Sequence, residues 1–425
     1  MLVASTRPEV IKLAPVLRAF ERLGVEHTFV TTGQHYDDEL FWRFIRELEL
    51  KEPEYNIDVR SGTHAYQTAR ALEELERLIQ RDAPEVVIAE GDTNSVLSTA
   101  LACAKLLVAF AHVEAGLRSF DRTMPEEVNR VLADHVSTVL FAPTLRAADN
   151  LVNEGILPES IFVVGNTIVD ATLHHIEIAR RRLKPKGGEY LLLTLHRAEN
   201  VDSRERFEGI LRALAEVEQE ILFPVHPRTM QRLREFGLME LAESSLTLLP
   251  PAGYLEFLLM LEGAKAVLTD SGGVQEEAIV LGTPCITLRT STERPETVEA
   301  GGNILAGVDR ESILRVVRRV LTDEELYLRM KQAKNPFGDG RSGERIARIL
   351  LELGERGELR IEPPSRVIRT RQRRLVHAGE HRGRKLSELG VRVCRVALEG
   401  RFRYPEPERV LRGDEMLEVE EEVSW

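Results

Sequence analysis

Over roughly the first 142 residues, short apolar runs rich in β-branched residues alternate with longer stretches whose apolar positions recur every three to four residues. The short runs predict strands at residues 2–4, 28–31, 86–89, 109–113 and 139–142; the longer ones predict helices, among them 8–23 and 65–81. Because the strands are apolar on both faces, they read as a parallel sheet covered by helices on each side. The rhythm then restarts, with strands predicted at 190–194, 221–225, 246–249, 266–269 and 285–288. A linker is expected around 171–188, where the basic run Arg180, Arg181, Arg182, Lys184, Lys186 ends in Gly187-Gly188. The expected fold class is α/β: two Rossmann-like, doubly wound domains at 1–170 and 171–358, followed by a small β-rich domain at 368–425. The break before that tail is marked by Glu362-Pro363-Pro364 and a change of composition. The first strand has only Met1–Ala4 before its turn, short for a central strand, so the natural chain is expected to begin a few residues earlier.

Composition narrows the function classes. The chain has 425 residues, 43% of them hydrophobic and 30% charged, as expected of a globular protein with an ample core. High charge with only 5% aromatic residues hints at many surface ion pairs. A net charge of -12 argues against a nucleic-acid partner, which would need a basic face, yet leaves room for a locally positive cleft. Cys103, Cys285 and Cys394 are far apart and form no CxxC pair; Cys103 and Cys285 sit in apolar stretches and read as core. No signal peptide is expected, and the longest apolar stretch, 97–113, contains Lys105 and is too short to span a bilayer. A soluble, cytoplasmic protein without a membrane association is the expectation.

Candidate chemistry gathers where predicted strands end, the place where open α/β sheets bind ligands. Ser5-Thr6-Arg7-Pro8-Glu9 follows the first strand; Thr6 and Glu9 have capping-box spacing, and Arg7 stands at the strand's carboxyl end. Glu90-Gly91-Asp92-Thr93-Asn94 follows the strand at 86–89, where Asp92 caps the next helix or belongs to a site. His112 to Arg118 (HVEAGLR) closes another strand with Glu114, and Pro125-Glu126-Glu127 opens a helix with two acids, which suits capping as well as chemistry. Three clustered carboxylates raise one another's pKa and suit proton transfer near neutral pH. In the second half, His196-Arg197-Ala198-Glu199 repeats the strand-end placement. Asp270-Ser271-Gly272-Gly273 runs from a strand into a helix whose free N–H groups can receive phosphate, with Glu277 in its first turns as a cap or a ligand for vicinal hydroxyls. Arg294 follows a further strand, so Arg7 and Arg294, from opposite halves, could flank a diphosphate. Neither GxxxxGK[ST] nor a strand-following GxGxxG is present, and the histidines lack HExxH spacing, so no nucleotide cofactor of those kinds and no metal are expected.

In order along residues 1–350 stand TRPE, QH, GDT, HVEAGLR, PEExNR, GNTxxD, HRxEN, PVHP, DSGGxQEE, TERPE and NPFGDG. This series resembles the non-hydrolysing UDP-N-acetylglucosamine 2-epimerase family, whose two Rossmann-like domains are arranged as in GT-B glycosyltransferases. The resemblance implies a UDP-sugar substrate, no cofactor and a homodimer. It implies phosphate on Ser271, Gly272 and Gly273, ribose on Glu277, uracil near Phe257, and diphosphate near Arg294, with Arg7 and Lys12 from the first half. Catalytic positions match Asp92, Glu114, Glu126 and His196. Gln34, His35, Gln67, Arg197 and His226 match positions associated in bacterial members with a second, regulatory UDP-sugar. The implied reaction is inversion at carbon 2 through UDP elimination, in service of surface polysaccharide or glycan synthesis. Where the family usually has glycine before TRPE, this chain has Ser5, tolerable if its φ is negative.

The tail, with Gly383-Arg384-Lys385-Leu386, Tyr404-Pro405 and Leu411-Arg412-Gly413-Asp414, resembles the C-terminal domain of TrkA-type regulators. That implies a small-molecule regulator; an inert β-rich appendage is the other reading. Also open are a hydrolysing or modified-sugar epimerase, a glycosyltransferase, and a nucleotide-sugar sensor governed by the tail.

Overall fold

The computed structural model describes residues 1–33, 44–59, 62–361, 369–377, 385, 392–398, 401–403 and 416–424. The chain divides into two compact units, Met1–Ile361 and Glu362–Trp425. The first holds two parallel sheets. Sheet one comprises β1 (Leu2–Ala4), β2 (Phe29–Thr31), β3 (Tyr55–Asn56), β4 (Val86–Glu90), β5 (Ala109–Val113), β6 (Val139–Ala142) and β7 (Ile161–Val163), in the order β3-β2-β1-β4-β5-β6-β7. Sheet two comprises β8 (Leu191–Thr194), β9 (Ile221–Pro224), β10 (Thr247–Leu249), β11 (Ala266–Thr269), β12 (Cys285–Thr287) and β13 (Asn303–Leu305), in the order β10-β9-β8-β11-β12-β13. Both reverse direction of winding at one place, between β1 and β4 and between β8 and β11. Those two reversals open crevices at the strands' carboxyl ends.

Local chemistry sets the elements that frame these crevices. The helix Arg7–Leu23 begins with a complete capping box, Thr6 accepting from the Glu9 N–H and the Glu9 side chain accepting from the Thr6 N–H. It buries Val10, Leu13, Ala14, Leu17 and Phe20 at helical spacing, and stops at Gly24, whose φ of 67° only glycine adopts without strain. The helix Gly272–Leu281 follows Ser271 and ends likewise at left-handed Gly282.

Two features differ from the sequence reading. The expected linker at 171–188 is mostly helix: Thr167–Arg182 buries Ile168, Ala171, Ile176 and Ala179, and its basic run is the exposed carboxyl-terminal turn, where cations favour the helix dipole. The helix Ser342–Glu355 returns to the first half. Its Ile346, Ala347 and Leu350 share a core with Val10, Leu13 and Leu17. Gly343 is needed at that crossing, because a Cβ there would lie 2.5 Å from the Pro15 carbonyl carbon. The Gly343 N–H also donates to Asp170 Oδ1 at 2.9 Å.

Cys103 and Cys285 are buried, as expected of core residues. No helix among the described residues is long and apolar enough to cross a membrane. In the second unit, β14 (Arg369–His377), β15 (Arg392–Leu398), β16 (Arg401–Arg403) and β17 (Met416–Ser424) form an antiparallel sheet in the order β14-β17-β15-β16. Residues 383, 384, 386, 404, 405 and 411–414, which carry the TrkA-like pattern with Lys385, lie outside the described residues.

Candidate functional site

A buried polar array joins the halves of the first unit. Lys12, one turn into the helix after β1, places Nζ 2.9 Å from Glu90 Oε1 and 2.7 Å from Glu114 Oε2. Glu90 ends β4 and Glu114 follows β5, so the ends of adjacent strands converge on one ammonium. From the second half, Arg294 Nη2 donates to Glu114 Oε1 at 3.1 Å and Arg294 Nε donates to Glu276 Oε1 at 2.6 Å. Asn166 bridges the same two acids, donating to Glu114 at 3.0 Å and to Glu276 at 2.9 Å. Two cations thus face three carboxylates away from bulk water.

The electrostatics sort these carboxylates. Burial alone would raise Glu114, but Lys12 and Arg294 outweigh it and hold the carboxyl well below the usual range. Glu90 is raised by burial and by the Glu114 charge, with Lys12 offsetting only part. Glu276 is raised by burial and by Glu114 against the pull of Arg294. Burial opposes the Lys12 charge, yet Glu114 and Glu90 hold it above the ordinary lysine value. An anionic Glu114 beside two carboxyls whose pKa values are raised is an arrangement able to pass a proton.

Around the array, the other expected site residues fall into three groups. Asp92 does not cap: the N-cap of the helix Asn94–Leu106 is Thr93, and Asp92 Oδ2 instead accepts from Arg130 Nη2 at 2.6 Å. Its pKa is raised by burial, partly offset by Arg130. Glu126 is exposed at the first turn of the helix Pro125–Val136, outside the buried array, though its charge acts on Asp92. Its neighbour Glu127 is the buried one, accepting from the N–H groups of Ser119 and Phe120 at 2.9 Å each. Arg7 is exposed, with its guanidinium 5.5 Å from the Phe44 ring centre.

On the second sheet, His196 and Arg197 follow β8 while Asp270 to Gly273 follow β11. Asp270, fully buried, accepts the N–H of His196 at 3.1 Å and of Arg197 at 3.0 Å, tying the two turns together. The His196 imidazole lies 3.5 Å from Asp270; burial, reinforced by Arg197 and Arg228, lowers its pKa despite that carboxylate. Gly272 opens the helix beside Arg197, whose Nη2 would lie 4.0 Å from a Cβ at that position. The first N–H groups of a helix have no partner within it, so Gly272 and Gly273 present an anion-receptive terminus, with Arg197 Nη2 and Glu293 Oε2 equally near it, while the Ser271 N–H donates to Thr269 Oγ1 at 2.9 Å. Glu277, one turn on, is buried, and burial pushes its carboxyl up to about 7. Phe257 is half-buried against the core that includes Tyr190 and Val274.

Of the positions expected to hold a second ligand, Gln67 accepts from Asn94 at 3.0 Å, Arg197 pairs with Glu293 at 3.3 Å, and the His226 ring lies 5.9 Å from that of His196. Gln34 and His35 lie outside the described residues. Sequence reasoning passed over Glu90, Asn166 and Glu276 as site residues. The signal for Glu90 was a carboxylate ending an otherwise apolar strand, Val-Val-Ile-Ala-Glu.

The profile of the family described as UDP-N-acetylglucosamine 2-epimerase matches residues 18–351. A UDP-N-acetylglucosamine 2-epimerase of Methanocaldococcus jannaschii is 49% identical over 363 residues, covering 82% of this chain and 98% of that protein. Its crystal structure in complex with UDP-GlcNAc and UDP aligns with a TM-score of 0.75, over 83% of this chain and 99% of that one. A Pseudomonas aeruginosa UDP-2,3-diacetamido-2,3-dideoxy-D-glucuronate 2-epimerase is 39% identical, covering 83% of this chain and 99% of that protein. This chain belongs to the UDP-N-acetylglucosamine 2-epimerase family, a family of isomerases.

Proposed function

We propose that the protein interconverts UDP-N-acetylglucosamine and UDP-N-acetylmannosamine without hydrolysis. The observation that carries this reading is the buried array of Lys12, Glu90, Glu114, Glu276 and Arg294 between the two sheets' crevices. A base takes the proton from carbon 2; its bonding pair forms the C1–C2 double bond, and UDP departs with the C1–O pair. The products are 2-acetamidoglucal and UDP. Protonation of carbon 2 from the opposite face and return of the UDP oxygen to carbon 1 complete the inversion. Two faces call for two proton-transfer groups, drawn in this reading from Asp92, Glu114 and Glu126. The diphosphate's developing charge is met by Arg7, Lys12, Arg294, neutral His196 and the Ser271–Gly273 terminus, with Glu277 on the ribose and Phe257 near uracil.

The likeness to the Pseudomonas enzyme supports a second reading, a UDP-sugar substituted at carbon 3. Beyond the core reaction, the reading includes a homodimer, a cytoplasmic setting in polysaccharide synthesis, a second UDP-sugar held by Gln67, Arg197 and His226, and a small regulator on the TrkA-like residues 368–425. Proton NMR of the purified protein with UDP-N-acetylglucosamine tests the core. UDP-N-acetylmannosamine as the product supports it; free UDP with free sugar would assign a hydrolysing enzyme instead.

A further inference from the structure

We propose that the fully buried His112 is a permanent imidazolium which, with Asp134, clamps together the two turns carrying Asp92 and Glu114 and so acts as a positioning residue for proton transfer at carbon 2. This rests on the epimerase reading. The ring sits near the end of β5, stacked on Phe110 with ring centres 6.0 Å apart. Nδ1 lies 2.6 Å from Asp134 Oδ1 and Nε2 lies 2.8 Å from the Gly91 carbonyl oxygen. A carbonyl only accepts, and so does a carboxylate held by cations; both ring nitrogens must therefore donate, which only the imidazolium does. Asp134 is kept ionised by its other partners. Its Oδ2 lies 2.7 Å from Arg118 Nη1 and accepts the Gly116 N–H at 3.1 Å. Arg118 in turn pairs with Glu154, so two cations are matched by two carboxylates, Asp134 buried and Glu154 partly exposed. Burial opposes the His112 charge, but Asp134 outweighs it and raises the ring above its ordinary pKa.

The clamp's two ends meet the backbone beside each candidate acid. Gly91 immediately precedes Asp92 and Gly116 follows Glu114 by two residues. Both turns use the left-handed region: Gly91 at φ 89°, Glu114 at 69° and Gly116 at 83°. For a glutamate this conformation is strained and persists only where the surroundings impose it. Asp134 lies on the same helix as Asn129 and Arg130, which hold the Asp92 carbonyl at 2.9 Å and its carboxylate at 2.6 Å. One helix thereby fixes both acids relative to each other, and displacement by about 1 Å at such a site costs up to about a hundredfold in rate.

The test uses the full chain in two arms. In protein labelled with 15N-histidine, the ring signal absent from His112→Gln should show two slowly exchanging N–H groups from pH 6 to pH 9; a bare ring nitrogen in that range would overturn the clamp. In kinetics, His112→Gln and Asp134→Asn should lower kcat for carbon-2 exchange by at least about tenfold with KM within about threefold of wild type. An unchanged kcat would overturn the positioning role. If His112→Gln fails to fold, the ring signal that shifts in Asp134→Asn identifies His112, and the kcat of Asp134→Asn decides the positioning role. A wild type inert toward UDP-N-acetylglucosamine would sink the functional reading instead, and the ring's charge would still decide the clamp.

Discussion

Arg294 Nη2 lies 3.1 Å from Glu114 Oε1, joining residues 180 positions apart on opposite halves of the first unit. Lys12 reaches the other oxygen of the same carboxylate at 2.7 Å. Glu114 is therefore a point at which both halves meet, and its charge is the one that the array is built to keep.

Removing one cation should expose this dependence. Lys12→Met leaves Glu90 and Glu114 facing each other with only Arg294 and Asn166 to compensate. Loss of one partner from a buried pair costs about 3–5 kcal/mol. Urea unfolding near pH 7.5 should show a drop of that size, shrinking at lower pH as the acids protonate, and epimerisation should fall at least about a hundredfold. A variant with wild-type stability and activity would mean that the ion pairs are incidental.

Glu9 offers a test with a definite sign. Its Oε2 accepts the N–H groups of Ser5 at 2.5 Å and Thr6 at 3.0 Å, and burial pushes the carboxyl up from 4.5 to about 7. Below the unfolded value the acid is protonated in both states and stability is independent of it. As pH rises to about 7 the unfolded chain releases the proton first, so stability falls, by about 3 kcal/mol at 1.36 kcal/mol per pH unit. Glu9→Gln keeps one oxygen for both N–H groups, so it should be more stable than wild type at pH 8 and similar at pH 4.5. Equal stability at both values would contradict the buried, proton-holding carboxyl. Glu277, raised likewise, contributes a remaining fall of the same sign.

Much of this was legible in the sequence. Central strands such as β5, β6 and β11 were predominantly apolar and fell at the predicted residues, and the capping box at Thr6 announced its helix. The edge strands β3, β7 and β13 went unseen because two or three residues are too few to carry a period. The strand ends marked Asp92, Glu114, His196 and the Gly-Gly turn as candidates. What the sequence could not carry was partnership. Asn166, Glu276 and Asp134 gain their place from contacts 52, 110 and 22 residues away, which no local spacing encodes.

The ribose assignment separates from the chemistry. Glu277→Gln should weaken UDP binding by about tenfold, the worth of a hydrogen bond to a charged group. Titration calorimetry with UDP and 2′-deoxy-UDP should show wild type preferring UDP and the variant losing that preference. Retained discrimination would remove Glu277 from the ribose.

At the crossing of the returning helix, Gly343→Ala forces a Cβ against the Pro15 backbone. Overpacking of this kind costs typically about 1–3 kcal/mol. The melting midpoint should fall, while kcat per folded molecule well below it stays near wild type. An unchanged midpoint would show that the two helices part freely.

The most direct measurement is the reaction in heavy water. Recovered UDP-N-acetylglucosamine and newly formed UDP-N-acetylmannosamine should both carry deuterium at carbon 2, with the UDP linkage intact. Epimerised product that keeps its original carbon-2 hydrogen would contradict proton transfer by the buried carboxylates, and with it the account of the site.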